Sequence, residues 1–424
     1  MTTMSVSHAL GADGPFAEKV PGYQPRAPQV AMALAVEKTL KAKSQLLVEA
    51  GTGTGKTFAY LVPAMLSGQK TLVSTGTRNL QDQLFHRDLP QVRTLLGKPI
   101  RTALLKGRSN YLCPYRLEQH LSDGELESKQ VVHDLQRVAA WAGKTQMGDI
   151  AELIDIAEDS SVWPLVTSTA DNCLGQECPK IADCPLMKAR EQAAEADIIV
   201  VNHHLFFADK ALKDRGFGEL LPAVDAVIFD EAHQLPETAA MFFGQSLSSR
   251  QINDLLADTL REILAAGGDL RGANDLVSVI ETRLAHFRLQ LGEDSRKGVW
   301  AEVIEQPEMP AAIAAVNLSL GALLDALAAL KDRSKGLDSC HRRAEELGKA
   351  FEELTGDTPD NQVHWFETFR KGFVLQWTPL EVSQPFRALI DQDPMAWIFT
   401  SATLAVREDF RHIRQQLGLS DDIE

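Results

Sequence analysis

The ten residues VEAGTGTGKT, Val48–Thr57, constrain the fold of this 424-residue chain most, because they join a short apolar strand to a helix. The strand reads LLVEA and closes at Ala50; the helix opens at Gly55 and continues through FAYLVPAML. Gly51, Gly53 and Gly55, separated by Thr52 and Thr54, free the backbone to turn its N–H groups inward around a chain of phosphates. Lys56 then reaches the terminal phosphates and the Thr57 hydroxyl serves Mg²⁺, with the helix N-terminus adding a field that favours anions. Ala50 stands where the general pattern begins with glycine, so the match is A-x4-GKT. A glycine-rich turn without a ligand is the plainer alternative, but GKT in register between strand and helix argues for a nucleoside triphosphate.

Such a site needs acids on a second strand of the same sheet. DAVIFDEAHQ, Asp225–Gln234, is an apolar strand ending in two of them. Asp230 is expected to hold Mg²⁺ through water and Glu231 to polarise the attacking water, with His233 sensing the γ-phosphate. A solvated strand end is the bland alternative. WIFTSATL, Trp397–Leu404, repeats the design, and the hydroxyls of Ser401 and Thr403 are placed to link hydrolysis to a bound polymer.

Apolar strands near Leu46–Ala50, Thr71–Thr75, Thr102–Leu105, Ile198–Val201, Val227–Asp230 and Trp397–Thr400 alternate with helical stretches. That alternation predicts an α/β fold with a parallel sheet covered on both faces, and ligands at the carboxyl ends of its strands. Two insertions interrupt it. Lys106–Arg190 carries most of the cysteines, and Phe243–Phe373 reads as helical, with INDLLADTLREILAA, LVSVIETRLAHFRLQLG and GLDSCHRRAEELGKAFEEL as amphipathic runs. FVLQWTPL, Phe373–Leu380, then returns to the sheet. The length implies two or three domains. No run of eighteen apolar residues is found, so no membrane span is expected. MTTMSVSHALGADGPF lacks a basic start and apolar core, reads as a loose leader, and sets the expected location as cytoplasmic.

A net charge of −15 means that any nucleic-acid contact must gather its cations locally. Arg101–Arg116 does so with Arg101, Lys106, Arg108 and Arg116, interleaved with Tyr111 and Tyr115, which suits a stacked single strand. A solvated basic loop reads equally well. Asp149–Asp159 holds five acids and no base, a solvated face. Of five cysteines, Cys113, Cys173, Cys178 and Cys184 form a group whose last three are spaced C-x4-C-x5-C. Four thiolates suit tetrahedral zinc or a [4Fe–4S] cube, and the wide intervals lean toward the larger group. Cys340 stands apart as a buried or idle thiol.

GKT, DEAH and SAT in this order resemble the helicases of the second large superfamily. STGTRNLQDQL, Ser74–Leu84, is similar to that family's DNA-contacting segment, which implies Thr75, Thr77, Arg78 and Gln81 at the DNA backbone; a helix N-cap explains the threonine hydroxyls as well. PGYQPRAPQ, Pro21–Gln29, is similar to the adenine-reading segment and implies Gln29 at the purine edge, with Arg26 and Tyr23 nearby. KGRSNYLC, WPLVTSTADNCLG and VNHHLF extend the resemblance to iron–sulfur helicases of the XPD/DinG type, and within it to the bacterial YoaA-like branch. After the buried strand, Asn202 and His203 suit packing as readily as ligand contact.

The resemblance implies a RecA-like domain in three parts, 1–105, 191–242 and 374–424, with a [4Fe–4S] domain at 106–190 and a helical arch at 243–373. It implies Cys113, Cys173, Cys178 and Cys184 as cluster ligands; Arg108 and Tyr111 are candidate nucleic-acid contacts from the basic run itself. The implied activity is ATP- and Mg²⁺-dependent 5′→3′ movement on single-stranded or forked DNA in repair or replication. Family members continue into a second RecA-like domain that carries arginine fingers, whereas twenty-one residues follow Thr403 here. An arginine finger is worth about 10³–10⁵ in rate, so slow hydrolysis and no unwinding are expected of these residues alone. A transporter ATPase would carry an LSGGQ-like signature, which is absent. A module that grips DNA or a protein without turnover is the alternative.

Overall fold

The computed structural model describes all residues except 1–3, 123–127, 215–219, 269, 293–294, 406–408 and 421–422. Six strands form a wholly parallel sheet: β1 (Gln45–Glu49), β2 (Thr71–Thr75), β3 (Thr102–Leu104), β4 (Ile198–Asn202), β5 (Ala226–Asp230) and β10 (Ala396–Ser401). IIVVN, AVIFD and AWIFTS are apolar at nearly every position because helices cover both faces. Two apolar clusters flank the sheet, one around Phe206, Phe229 and Phe399, the other around Tyr60, Val73 and Ile228.

The strand order is β1-β10-β5-β2-β4-β3. The last strand in the chain therefore lies between the strand that precedes the glycine loop and the strand that ends in the acids. Register places Glu49 beside Ser401 and Thr400 beside Asp230. All three motifs thus end at one level of one edge, where an open parallel sheet binds its ligands.

Residues 243–373 depart from the all-helical expectation. Helices Ser249–Ala265, Leu270–Gln290, Met309–Ala328 and Lys335–Thr355 pack on a second sheet, ordered β6-β9-β8-β7 and antiparallel. Its strands are β6 (Gln245–Ser248), β7 (Lys297–Val299), β8 (Gln362–Thr368) and β9 (Phe373–Pro379). FVLQWTPL does not return to the parallel sheet; it forms β9, paired to β6 and β8. The reason lies in its period of two: Phe373, Leu375 and Trp377 are buried while Val374 and Gln376 are half-exposed, the pattern of a sheet with one covered face.

Two further expectations are corrected. Of the described residues near the start, Val6, Ala9, Leu10 and Phe16 do not form a loose leader: they are buried, and the Phe16 and Phe58 rings lie 5.5 Å apart. One helix, within Met309–Arg333, is long and apolar enough to cross a membrane by length and composition. Polar breaks at Asn317 and Ser319 hid it from a search for uninterrupted runs. Its Val316, Leu320, Leu323 and Leu327 enter the core shared with the neighbouring helices, while Leu318 on the other face is exposed.

Between β3 and β4 the chain builds a small core of its own from Leu112, Leu117, Leu135, Val138, Val162, Trp163 and Val166. Its helix Pro114–Ser122 is tied to the helical layer by charge. Arg116 Nη1 reaches Asp258 Oδ1 at 3.2 Å, Arg343 Nη1 reaches Asp258 Oδ2 at 2.7 Å, and Arg261 adds a third contact at 2.9 Å. Beside it, Glu262 accepts from the Tyr115 hydroxyl at 2.6 Å, from Gln119 at 2.7 Å and from Ser334 at 3.2 Å. Burial alone would raise the Asp258 carboxyl; the three guanidinium groups reverse this and hold it below the usual carboxylate range.

Candidate active site

The loop after β1 takes its shape from glycine. Gly53 and Gly55 have φ of 82° and 85°, the left-handed region that a side chain opposes. Thr54 Oγ1 donates to Gly51 O at 2.8 Å and closes the turn. Gly55 ends the loop as the N-cap of helix Lys56–Ser67, which begins with Lys56 and Thr57. Gln29 is buried against this loop: its Nε2 donates to Gly55 O at 3.1 Å and its Oε1 accepts from the Tyr23 hydroxyl at 3.1 Å. A Cβ on Gly55 would strike the Gln29 amide. Arg26 donates to Gly53 O. Gln29 and Arg26 therefore fasten the glycine loop in this structure, and any reading of a purine edge draws on what remains of their valences.

Across the edge, Lys56 Nζ lies 3.3 Å from Glu231 Oε1. Glu231 in turn accepts from Ser401 Oγ at 3.1 Å, and Ser401 Oγ lies 2.8 Å from His233 Nδ1. Lys56, Glu231, Ser401 and His233 thus form one connected chain from three distant stretches of the sequence. Thr403 joins it only through its backbone N–H, 3.3 Å from Ser401 Oγ, while its side chain is exposed. Glu231 itself has φ 58°, a left-handed conformation that a non-glycine residue holds only where its surroundings enforce it.

Asp230 faces inward beside it. The Tyr60 hydroxyl donates to Asp230 Oδ2 at 3.1 Å. Burial and the Asp230 charge push the Tyr60 phenol well above its usual value, so it stays a donor. Burial first, and the neighbouring Glu231 charge second, raise the Asp230 carboxyl from 3.8 to about 6; Lys56 and Tyr60 offset part of this. A carboxylate that is costly to ionise without a cation, on a strand end beside a lysine, is suited to a divalent metal.

Sequence reasoning passed over Tyr60 and Glu49, which shape this edge, and left His203 open between packing and ligand contact. Tyr60 lies within the apolar helix run and gave no signal beyond that. Glu49, the acid before the glycine loop, accepts from the N–H groups of Leu404 and Ala405 at 2.5 and 2.6 Å, and these bonds lower its pKa. It clamps the segment after Ser401 to the strand that carries the loop. His203 is buried, with Nδ1 2.7 Å from Ser74 Oγ. Burial drives its pKa down to about 3, so the ring is neutral. Asn202 caps the following helix through Leu205 N at 2.8 Å.

The proposed nucleic-acid residues divide. Thr77 and Arg78 are exposed, and Thr77 also caps its helix through Leu80 N. Thr75 and Gln81 are buried; Gln81 Nε2 donates to Leu105 O and Val200 O, so neither meets a polymer in this conformation. Tyr111 is also buried, its hydroxyl accepting from Lys106 N, and offers no face for stacking. Lys106 is likewise withdrawn, 2.8 Å from both Asp82 and Asp149, which removes Asp149 from the solvated acidic face. Arg116 serves Asp258 and Arg101 pairs with Asp197 at 3.5 Å. Of that basic run, Arg108 remains half-exposed.

Cys113, Cys173, Cys178 and Cys184 line one cavity, walled by Leu174, Leu186 and Met187 and bordered by Arg108 and Arg190. Burial raises the Cys113 thiol to about 11, while the Arg116 N–H opposes the rise; the Lys180 N–H does the same for Cys178. Four cysteines on one cavity, with backbone N–H groups at Cys113 and Cys178 and guanidinium groups adjacent, fit an anionic thiolate-bound centre. Among the described residues no three His, Cys, Asp or Glu side chains are already gathered at the spacing of a single bound ion. Cys340 is buried elsewhere, between helices.

Comparison with known proteins agrees with this geometry. A family model described as DEAD/DEAH box helicase matches residues 31–109, and one described as DEAD_2 matches residues 166–252. The chain is 43% identical to the ATP-dependent DNA helicase YoaA of Haemophilus influenzae over 98% of its own length and 65% of that protein's. It is 45% identical to the protein of the same name from Escherichia coli, over 96% and 64% respectively. The ATP-dependent helicase DinG of Mycobacterium tuberculosis is 36% identical over 52% of this chain and 36% of its own. The chain spans just under two thirds of the two YoaA proteins. A solved XPD helicase structure superposes with a TM-score of 0.50 at 18% identity, over 95% of this chain and 62% of that one, and so shares its fold.

Proposed function

This chain belongs to the family of YoaA- and DinG-type helicases, and from that premise we propose that it is the ATP-binding motor lobe of a DNA helicase. The observation that carries the reading is the bonded chain Lys56–Glu231–Ser401–His233 at the carboxyl ends of three adjacent strands. The glycine loop and Lys56 would cradle the phosphates of ATP, with Thr57 and Asp230 serving Mg²⁺. Glu231 would orient and polarise the attacking water. Ser401 and His233 would report the state of that acid to the rest of the lobe. The substrate is single-stranded or forked DNA, travelled 5′→3′, with Thr77 and Arg78 the exposed contacts of the β2 loop. The test is binding of Mg·ATP by calorimetry, with and without an oligothymidylate; a chain that binds no nucleotide at millimolar concentration is no motor lobe.

The direction of the Asp230 shift makes a prediction. Its folded value of about 6 lies above the unfolded 3.8, so the nucleotide-free fold prefers the protonated acid, and this group favours folding at low pH and loses that contribution as pH rises through 6. Cation binding runs the opposite way, because it needs the carboxylate. Mg²⁺-dependent ATP affinity is therefore expected to rise as pH climbs through about 6 and to level off above it. A flat titration across that range would place the cation elsewhere.

Cys113, Cys173, Cys178 and Cys184 would hold a [4Fe–4S] cluster. Such a group would add a further tie between segments already joined by the Cys113 N–H to Val166 O bond and the Lys180–Glu118 pair. Cys173→Ser is expected to abolish the visible iron–sulfur absorption of an anaerobically purified sample and to loosen residues 106–190. Retention of that absorption would remove Cys173 from the ligand set.

A further inference from the structure

His203 and Ser74 have no part in the motor chemistry described above, yet they join two places that matter to it. β2 lies between β5 and β4 in the sheet. It runs from Ser74 and Thr75 into the loop that exposes Thr77 and Arg78. His203 follows the end of β4, and its ring reaches across to β2 and β5. On one side Nδ1 meets Ser74 Oγ at 2.7 Å; on the other the ring packs on Phe229 at 5.9 Å and lies against the backbone carbonyls of Asp230 and Glu231. Nε2 makes no hydrogen bond of ordinary geometry although the side chain is wholly buried. This nitrogen faces the two carbonyls of the acidic turn, so the ring is held against that turn as well as against Ser74. It sits beside the one strained turn of the site, where Glu231 holds its left-handed conformation.

A second contact ties the same two segments. Gly76, in the β2 loop, leaves no room for a Cβ because the Gln234 amide fills that place. The loop and the acidic turn are thus fitted to each other at two points. A movement of the loop must be felt at Glu231, or the fit is lost.

We propose that Ser74 and His203 form a relay coupling the exposed β2 loop to the Asp230–Glu231 turn, so that a single strand on the loop and Mg·ATP at the turn change each other's affinity. His203 is a positioning residue; it touches neither ligand. The inference rests on the nucleotide-site reading and adds the route by which DNA alters it.

The experiment measures Mg·ATP affinity of the full chain by calorimetry, with and without saturating oligothymidylate. Coupling between sites is typically 5–150-fold, and the wild-type chain is expected to show at least about fivefold. Ser74→Ala removes one hydroxyl from a site that can close around it. It should leave ATP affinity without DNA within about threefold of wild type and cut the DNA effect to within about twofold. His203→Ala should do the same, and His203→Asn, whose amide can still meet Ser74 near the Nδ1 position, should restore part of the coupling. A pair Ser74→Ala/His203→Ala no worse than either single change would mark them as one unit. Full coupling in a folded Ser74→Ala chain overturns the relay. So does a wild-type chain that binds ATP but ignores the oligonucleotide. A wild-type chain that binds no ATP fails earlier, at the nucleotide site itself.

Discussion

Asp258→Ala is expected to destabilise the protein by about 3–5 kcal/mol, the usual cost of removing one partner from a buried ion cluster. Arg116 and Arg343 both point at this carboxylate, and their side chains are 9% and 4% exposed. With the acid gone, two guanidinium groups remain in a site with little access to water, without the carboxylate that bonds both. The loss has a location. Arg116 lies on the helix Pro114–Ser122 that follows Cys113, while Asp258 and Arg343 lie on two helices of the other insertion. Hydrogen exchange should therefore speed up first in Pro114–Ser122 and Ser249–Ala265, ahead of the parallel sheet. Asp258→Asn, which keeps the shape and one acceptor, should cost less. The sign with pH follows from the depressed Asp258 pKa: its contribution is present above the unfolded value of 3.8 and is lost as pH falls through the lower folded value. A denaturation midpoint unchanged by Asp258→Ala would mean that the cluster carries no net weight.

Lys56→Ala is expected to weaken Mg·ATP binding by about 10²-fold or more, since losing one member of a desolvated charge pair costs about 2–5 kcal/mol. Its ammonium group is the cation the structure places against Glu231, and it also opposes the rise of the Asp230 pKa. The variant should fold, because Lys56 stands at the helix start with its head group at the edge of the sheet, not in an apolar core. It should also shift the pH dependence of cation binding upward, since Asp230 then loses one of the three influences that keep it ionised. Calorimetry with circular dichroism as the folding control reads both effects. Unchanged affinity in a folded variant would mean that the phosphates do not lie where the glycine loop points.

The chemistry of this edge was legible because it is local. A glycine loop, two acids after an apolar run and a serine after another each declare themselves within ten residues, through backbone freedom and charge at a strand end. Four of the five cysteines could be grouped by position, and the structure gathers those four around one cavity. Residues whose roles depend on where a side chain points were not legible. Lys106 and Arg116 counted as free cations in the sequence and are consumed by Asp82, Asp149 and Asp258, two of which stand far along the chain. Tyr111 and Gln81 carried the right chemistry for nucleic acid but face inward. β9 was read into the wrong sheet, because period-two burial names a strand and not its partners.

The residues alone determined that a triphosphate loop, an acidic strand end and a hydroxyl-bearing strand end exist, since each needs only neighbours in the chain. Only the tertiary structure decided that β10 lies between β1 and β5, which puts Ser401 within 3.1 Å of Glu231 and Glu49 against the segment beyond Ser401. Strand neighbours are chosen by burial on both faces of a sheet, a property of the whole packed core that no ten-residue window contains.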